Sequence, residues 1–382
     1  MTVSDTLGSL RAARARVDLD RLAENYRALA AFSPVPLMPV VKADAYGHGA
    51  ARVGHELVKA GAARLAVAYV EEGVALRAAG VKVPIVVLAG FAAGQVRVLL
   101  EHQLTPVVST AGGADALLSV LRASGRRAHV HVKVDTGMAR LGFAPSAIEE
   151  AAARLADSGL AEVEGLMTHL AAADESADVT RRQLDLFDEA VLRLQRRGLR
   201  PRWIHAANSA GLAFLRPSHT LARPGLLVYG LKPRPLSPPV AVKPVMRVSA
   251  DLALVKEVAA GTPVSYGGIW TAPRASRIGT LPLGYADGVP RTDAMSQGGR
   301  FLVKGRAVPV VGRVCMDLTL MDLTGHPDAG EGDEAVLLGD EPDAWEVAGR
   351  AGTTAWAALT AIGRRVPRVY VKGGRTVAVA SD

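Results

Sequence analysis

Short apolar runs alternate with helical patterns over the first 230 or so residues, and this alternation constrains the fold most strongly. Such runs lie at 65–69, 84–88 and 105–109, and segments with apolar side chains at helical spacing separate most of them. We count about eight alternations, the number and length typical of a (β/α)8 barrel of the TIM type. A doubly wound sheet gives the same alternation, but no G-x-G-x-x-G motif follows the first strand.

The composition changes near residue 231. Residues 231–239, LKPRPLSPP, form a proline-rich connector of the kind that separates domains. Beyond it, short β-type runs dominate, glycine turns such as Gly267-Gly268 separate them, and only residues 345–362 have a helical pattern. We therefore predict an α/β chain with a (β/α)8 barrel over 12–240. A mainly β C-terminal domain follows over 241–382, joined by residues 1–11.

Composition and charge exclude several classes of protein. The N-terminus has no apolar signal-like region, and no later segment reaches the roughly 20 apolar residues needed to span a bilayer. The single cysteine, Cys315, cannot form an intrachain disulfide, so we expect a cytoplasmic protein. The net charge is +8, but the arginines are scattered and aromatic residues make up only 4%. This pattern argues against nucleic acid and favours small anionic ligands.

A lysine stands where the first predicted strand ends. The apolar run 36–41 leads directly into Lys42, and the sequence Tyr46-Gly47-His48-Gly49 then interrupts the pattern. A strand-end amine in apolar surroundings is a candidate for a Schiff base with an aldehyde cofactor or a carbonyl substrate. The alternative is a lysine whose stem is buried and whose charge reaches solvent. The strand context alone leaves both interpretations open.

Polar residues collect where the predicted strands end, which is the edge that carries the active site in such barrels. The residues that follow strands are Lys42, Lys133, Asp135, His169, His205, Asn208 and Ser209, and Arg223 precedes the eighth strand. Taken singly, His169 is typical of a buried core histidine and Ser209 of a helix N-cap. Packing does not explain why all of them share one edge.

The seventh and eighth strand ends carry a pattern typical of phosphate sites. Asn208-Ser209-Ala210-Gly211 opens a helix, and Pro224-Gly225 lies at the eighth strand, which we place at 225–228. Barrels commonly hold phosphate in this region with backbone N–H groups and a helix N-terminus. Together with a strand-end lysine, the pattern suggests pyridoxal phosphate. No metal site is expected.

The motifs extend over nearly the whole chain. They are VKADAYGHG, HVKVDTGMARLGF, GLMTHL, HAANSA, RPGLLVYG, GTPVSYG, LPLGYADG, GRVCMD and RVPRVY. In this order they resemble the blocks of the alanine racemase family, which has the type III fold of pyridoxal-phosphate enzymes. The resemblance implies interconversion of L-alanine and D-alanine by two bases, with D-alanine supplied for cell-wall peptidoglycan. It also implies a homodimer whose active sites are shared between subunits.

The same resemblance implies individual roles. Lys42 would form the internal aldimine and act as one base, and Tyr266 of the partner subunit would be the other base. Tyr46, His169, Asn208, Ser209, Gly225 and Leu226 would lie near the cofactor, and Arg223 would contact its pyridine nitrogen. Arg140 and the backbone of Met316 would hold the substrate carboxylate. Lys133 corresponds to a lysine that is carbamylated in many members, and Tyr285, Cys315, Asp317 and Trp356 would support the site.

Two positions depart from the family pattern. Leu318 stands where glutamine is usual, and Trp356 stands where a tyrosine usually contacts the cofactor phosphate. Without the barrel motifs, Tyr285 and the Cys315–Asp317 run would be interpreted as packing and turn residues.

The alternatives to alanine racemisation are a racemase of serine or another small amino acid, and a non-catalytic pyridoxal-phosphate-binding protein. The chain lacks the cysteine motif that is characteristic of decarboxylases with this fold. A structural role would leave the strand-end residues unexplained.

Overall fold

The computed structural model describes residues 11–215, 219–234 and 239–380 and has two compact units. One unit comprises Leu22–Ala45 and Gly49–Val242, and we call it the barrel unit. The other comprises the chain up to Arg21, the short segment Tyr46–His48 and the chain from Lys243 onward, and we call it the β unit. Among the described residues, no helix combines the length and the apolar character that a membrane span requires.

A parallel sheet forms the centre of the barrel unit. Its strands, in spatial and chain order, are Leu65–Val67, Ile85–Val87, Thr105–Val108, Ala128–Lys133, Ala161–Met167 and Trp203–His205. The right-handed α-helices within the described residues 11–215 are Leu19–Phe32, Ala50–Lys59, Val70–Ala78, Val96–Glu101, Ala111–Ser124, Ile148–Asp157, Ala177–Arg196 and Ser209–Leu215. Each pair of parallel neighbours requires such a crossover connection, so the alternation in the sequence follows from the topology.

Two further segments occupy the first and eighth positions of the barrel. Residues 37–41 join the sheet on one side through the parallel bridge Val40↔Ala66. On the other side they meet residues 221–224 through the bridge Leu37↔Ala222, with the Val40 N–H donating to the Pro224 carbonyl at 2.9 Å. The Thr220 N–H donates to the Ile204 carbonyl, also at 2.9 Å, which links the eighth position back to the seventh. The predicted (β/α)8 barrel is confirmed.

The predicted eighth strand at 225–228 is wrong. Residues Leu226–Tyr229 form a 3-10 helix, and the eighth position is taken by the residues just before it. Gly230 ends this turn with a φ of 80°, in the left-handed region that glycine adopts at little cost. A run of four apolar residues is buried in either conformation, so its pattern cannot distinguish a strand from a helical turn.

The barrel strands are apolar because helices cover one side and packed side chains fill the other. Ile85, Val86 and Val87 are all fully buried. The long helix Ala177–Arg196 contributes buried Phe187, Ala190 and Leu194, which follow helical spacing on one face. Full burial of one large aliphatic or aromatic side chain contributes about 1.5–3 kcal/mol, so this core provides the rigid frame for the strand ends.

The β unit contains a seven-stranded sheet and smaller sheets. The seven strands, in spatial order, are Arg306–Pro309, Arg300–Val303, Glu334–Leu338, Met246–Asp251, Arg14–Asp18, Arg368–Lys372 and Arg375–Ala380. A three-stranded sheet contains Thr319–Asp322, Ser276–Leu281 and Leu254–Val258, and Pro263–Val264 pairs with Trp270–Thr271. The prediction of a mainly β C-terminal domain is confirmed.

The N-terminal residues differ from their predicted assignment, which began the barrel at residue 12. The strand Arg14–Asp18 lies inside the seven-stranded sheet, parallel to Arg368–Lys372 and antiparallel to Met246–Asp251. Ala15 and Val17 are fully buried there. Both pairings join residues more than 200 positions apart, so no local pattern indicates them.

The predicted helix over 345–362 is two helices. Ala344–Ala351 ends at Gly352, whose φ of 65° gives a left-handed C-cap, and Ala355–Thr360 begins after the extended Thr354. A further short helix, Asp293–Gly298, was not predicted; the side chain of Thr292 accepts a hydrogen bond from the Met295 N–H and caps it. Part of the proline-rich connector, 235–238, lies outside the described residues.

Candidate active site

Lys42 begins a short turn of left-handed helix. The φ angles of Ala43, Asp44, Ala45 and Tyr46 are 51°, 52°, 55° and 54°. A left-handed helical residue other than glycine costs about 1–2 kcal/mol, and four in succession are rare. Such strain persists where the surrounding structure holds it, and it concentrates at functional sites.

Hydrogen bonds at both ends hold this turn in the barrel unit. The Ala45 N–H donates to the Val41 carbonyl at 2.9 Å, and the Asp44 side chain accepts from the Ala50 N–H at 2.6 Å. Gly47 follows with a φ of 80°, and a Cβ at this position would lie 2.8 Å from the Leu359 carbonyl oxygen. The glycine is therefore required by both its conformation and its packing.

Basic groups surround the half-buried Lys42. Burial and the Arg140 guanidinium lower the pKa of Lys42, and the Glu72 carboxylate opposes this shift. Burial, followed by Arg140 and Arg223, lowers the pKa of Lys133 to about 8. Burial and the neighbouring cations also lower the pKa of His169, to about 3. The region is electropositive, which favours anions and makes the neutral amines more available as nucleophiles.

Arg223 is buried and every hydrogen bond that its guanidinium forms with the described residues goes to a neutral acceptor. It donates to Nδ1 and the carbonyl of His205 at 2.7 and 2.6 Å. It also donates to the carbonyls of Thr168 and Ala206, at 2.7 and 3.1 Å. Burial lowers the pKa of Arg223 to about 9, so the group remains cationic at neutral pH. The structure thus holds a positive charge at the eighth strand end.

Two buried histidines connect Arg223 to a carboxylate. Nε2 of His205 lies 2.7 Å from Nδ1 of His131, and Nε2 of His131 lies 3.2 Å from Oε1 of Glu164. Space for the His131 ring depends on Gly165, because a Cβ there would lie 2.4 Å from ring atoms. His131 and Glu164 were not identified from the sequence. The only available signal was that His131 stands two positions before Lys133 on the same predicted strand.

The predicted phosphate residues lie together in the barrel unit. Asn208 Oδ1 accepts from the Gly211 N–H at 2.9 Å, so Asn208, not Ser209, caps the helix Ser209–Leu215 with its side chain. Ser209 Oγ instead accepts from the backbone N–H groups of Gly225 and Leu227, at 3.0 and 3.3 Å. These contacts bring the start of the helix Ser209–Leu215 close to the start of the 3-10 helix Leu226–Tyr229. Backbone N–H groups in a first turn lack partners within the helix and can bind an anion.

Two predicted site residues, the catalytic Tyr266 and the substrate-binding Met316, have exposed side chains on the β unit. Tyr266 is 63% exposed and Met316 is 53% exposed. Ser265, just before Tyr266, has a φ of 63°, and its Oγ donates to the Arg313 carbonyl at 2.6 Å. The same Oγ lies 3.5 Å from Cys315 Sγ, so the two loops are joined. Within the described residues, the Met316 N–H donates to no acceptor, which leaves it available to an anion.

The other β-unit candidates surround the Met316 loop. The Tyr285 N–H donates to the Cys315 carbonyl, and the Ala286 N–H donates to the Met316 carbonyl, both at 3.0 Å. Asp317 pairs with Arg365 at 2.8 Å. These contacts assign Tyr285, Cys315 and Asp317 to one structural cluster.

The ring contact of Trp356 involves a residue outside that cluster. Its ring packs edge to face on Trp345, with ring centroids 6.0 Å apart, and it is 38% exposed. A contact between Trp356 and a phosphate therefore stays a prediction.

Comparison with known proteins gives one consistent result. The family model for the alanine racemase N-terminal domain matches residues 17–233, and the model for the alanine racemase C-terminal domain matches residues 245–370. The alanine racemase of Sorangium cellulosum is 43% identical over 94% of this chain and 99% of its own length. That of Symbiobacterium thermophilum is 42% identical over 97% of this chain and 99% of its own.

Solved structures agree with this result. The alanine racemase of Clostridium difficile superposes with a TM-score of 0.91 at 31% identity, covering 97% of this chain and 98% of the other. The enzyme from D-cycloserine-producing Streptomyces lavendulae has a TM-score of 0.89 at 40% identity, covering 95% and 97%. The chain belongs to the alanine racemase family.

Proposed function

We propose that this protein interconverts L-alanine and D-alanine, with pyridoxal phosphate attached covalently to Lys42. The observation that carries the proposal is the half-buried Lys42 amine, whose pKa is lowered in a region that also holds Lys133, Arg140 and Arg223. A neutral amine is the form that attacks an aldehyde. The basic surroundings suit both the phosphate of the cofactor and the carboxylate of an amino acid.

The donor set of the barrel unit fits pyridoxal phosphate. The N–H groups of Gly225 and Leu227 donate to Ser209 Oγ, and the other backbone N–H groups at the starts of these two helical turns would donate to a phosphate. Arg223 would place a cation at the pyridine nitrogen. When bound, the cofactor would withdraw electrons from the α-carbon of the amino acid. A permanent cation at the pyridine nitrogen keeps that nitrogen unprotonated, which limits this withdrawal and disfavours transamination.

Racemisation needs proton transfer on both faces of the α-carbon, so two bases on opposite sides are required. We assign these roles to the Lys42 amine and the Tyr266 phenol. Tyr266 acts on the active site of the partner subunit, in a two-fold homodimer. Its 63% exposure in the single chain, together with the exposure of Met316, Ile269 and Leu318 on the same unit, supports a role at an interface.

Substrate binding is assigned to Arg140 and the N–H of Met316, which together hold the carboxylate. Lys133 supports Arg140: its pKa of about 8 provides a neutral amine that can react with carbon dioxide. The resulting carbamate would replace a cation near Arg140 with an anion and orient its guanidinium. The D-alanine produced would serve cell-wall peptidoglycan.

A racemisation assay over small L-amino acids, with each D product quantified, tests this proposal. We expect alanine to give the highest kcat/KM and the Lys42→Ala variant to lose activity with every substrate. Faster turnover of serine would assign the enzyme to the alternative specificity. Binding of cofactor without racemisation of any amino acid would support a non-catalytic binding protein, a reading already disfavoured by the match to the C-terminal family domain.

A further inference from the structure

Glu72 connects the turn after Lys42 to the neighbouring strand of the barrel. It lies in the first turn of the helix Val70–Ala78, which follows the strand Leu65–Val67. Its Oε1 accepts a hydrogen bond from the Ala43 N–H at 2.6 Å. Its Oε2 accepts from the Ala68 N–H at 2.7 Å and from the Tyr69 N–H at 3.1 Å. One carboxylate thus binds three backbone N–H groups on two adjacent barrel segments.

The two oxygens of Glu72 have separate functions. Oε2 satisfies donors at the start of its own helix, as the third residue of a capping box does. Oε1 is used outside that helix, on the residue that follows Lys42. Helix capping therefore accounts for one oxygen only. The contact to Ala43 falls on the first of four left-handed residues, where the backbone most needs an external restraint.

We propose that Glu72 is a positioning residue for Lys42: it fixes the left-handed turn to the adjacent strand end and thereby sets the direction of the lysine side chain. This role rests on the proposed attachment of the cofactor to Lys42. Charge-assisted hydrogen bonds to backbone N–H groups are short and strong, as the 2.6 Å distance to Ala43 indicates. Reaction of an amine with an aldehyde requires its nitrogen to be held near the acceptor carbon.

The variant Glu72→Gln separates this role from general stability. A side-chain amide has one oxygen acceptor and one NH2 donor, so it can satisfy either the helix donors or the Ala43 N–H, but not both. Glu71→Gln is the matched control. Glu71 is the adjacent carboxylate in the same helical turn, is exposed, and forms no hydrogen bond or ion pair with the described residues. Glu72→Asp is the second variant, since it keeps the charge but is too short to span both segments.

The first measurement is amide hydrogen exchange over residues 43–46 in the protein without cofactor. We expect Glu72→Gln to accelerate exchange about ten- to hundredfold, the factor that corresponds to loss of one charge-assisted hydrogen bond. The second measurement is titration of the same protein with pyridoxal phosphate, where we expect weaker binding by a similar factor. Glu71→Gln should match the wild type in both. If Glu72→Gln does not fold, Glu72→Asp should show the same two effects.

Wild-type exchange over 43–46 and wild-type cofactor affinity in a folded Glu72 variant would overturn the proposal, even if that variant unfolds at lower temperature. Such a result would assign Glu72 to helix capping alone. Borohydride reduction and peptide mapping of the wild type distinguish a failure of the proposed function from a failure of the proposed role of Glu72. A cofactor fixed to a lysine other than Lys42 would refute the function, while the exchange data would still decide whether Glu72 restrains the turn.

Discussion

His205 accepts a hydrogen bond from the Arg223 guanidinium at Nδ1, over 2.7 Å, and this contact decides which of its ring nitrogens carries the proton. Because an arginine can only donate, His205 Nδ1 is unprotonated and Nε2 bears the hydrogen. Nε2 then donates to Nδ1 of His131 at 2.7 Å, and His131 Nε2 donates to Glu164. Burial lowers the pKa of both histidines, which keeps them neutral and the direction of the chain unique.

The first prediction concerns the far end of this chain. Glu164→Leu removes the acceptor for the His131 N–H, so His131 should populate both tautomers and compete with Arg223 for the orientation of His205. Histidine ¹⁵N chemical shifts in the protein without cofactor report the tautomers directly. We expect racemisation to fall about two- to tenfold, the effect of losing the neutral hydrogen bond between His205 and His131 when His131 changes tautomer. Glu162→Leu, at an exposed position on the same strand, is the control. Unchanged shifts in Glu164→Leu would show that Arg223 fixes the tautomers alone.

The sequence allowed prediction of the parts of the site that depend on strand ends, and it did not reveal the parts that depend on contacts across the barrel. Lys42 and Ser209 could be placed because (β/α)8 barrels gather functional residues at one edge, whereas Arg223 was expected before the eighth strand and lies at its end. The link from His131 to Glu164 depends on the register of two neighbouring strands, which tertiary packing sets.

Other local features were hidden for different reasons. The left-handed turn was predicted only as a break, since Ala43 and Asp44 have no intrinsic tendency to form four such residues in succession. The strand Arg14–Asp18 completes its sheet with partners that are remote in the chain. Short segments that are stabilised by distant contacts carry little of that information in their own sequence.

The second prediction tests the charge held at the eighth strand end. Arg223→Glu replaces a cation with a group that promotes protonation of the pyridine nitrogen, so racemisation should fall and the share of transamination should rise. Arg223→Lys keeps the charge and is the control. Product analysis of racemised and transaminated alanine is the measurement. Equal loss of both reactions in a variant that still binds cofactor would contradict the electronic role.

The third prediction concerns the tryptophan at a position where the family usually has tyrosine. Trp356→Tyr should tighten pyridoxal-phosphate binding by about 1.5–3 kcal/mol, if a new hydroxyl donates to the charged phosphate. Trp345→Tyr is the control, because Trp345 is the ring on which Trp356 packs. Titration of the cofactor-free protein is the measurement. Equal affinity in wild type and Trp356→Tyr would mean that other donors already satisfy the phosphate.

The fourth prediction concerns pH. The pKa of Lys133 is about 8 instead of its ordinary 10.5, so its neutral, carbon-dioxide-reactive form grows as pH rises through 8. Each carbamate formed from the neutral amine and carbon dioxide releases one proton, so ¹³C NMR at constant dissolved carbon dioxide should show a carbamate signal that increases with pH and that Lys133→Gln lacks. NMR titration of the Lys133 amine without carbon dioxide should have a midpoint near 8. The same shift means that the unfolded chain binds more protons between about pH 8 and 10.5, so Lys133 should make stability rise with pH across that window. A midpoint near 10.5 in the titration without carbon dioxide would show that the amine is not desolvated.

The last prediction concerns assembly, and it uses two inactive variants. In a two-fold dimer whose sites combine Lys42 of one subunit with Tyr266 of the other, Lys42→Ala and Tyr266→Phe homodimers should each be nearly inactive. In a mixed dimer, one site receives both changes and the other receives neither. Statistical exchange should restore roughly a quarter of the wild-type sites, as the isologous symmetry requires.

Refolding the two variants together, and each alone, provides the measurement, with differential tags to confirm that mixed dimers form. If both residues came from the same chain, every site would keep one change and no activity would return. Recovery would assign the exposed Tyr266 to the partner's active site, consistent with its 63% exposure in the single chain. No recovery in confirmed mixed dimers would leave Tyr266 either within its own chain's site or outside catalysis.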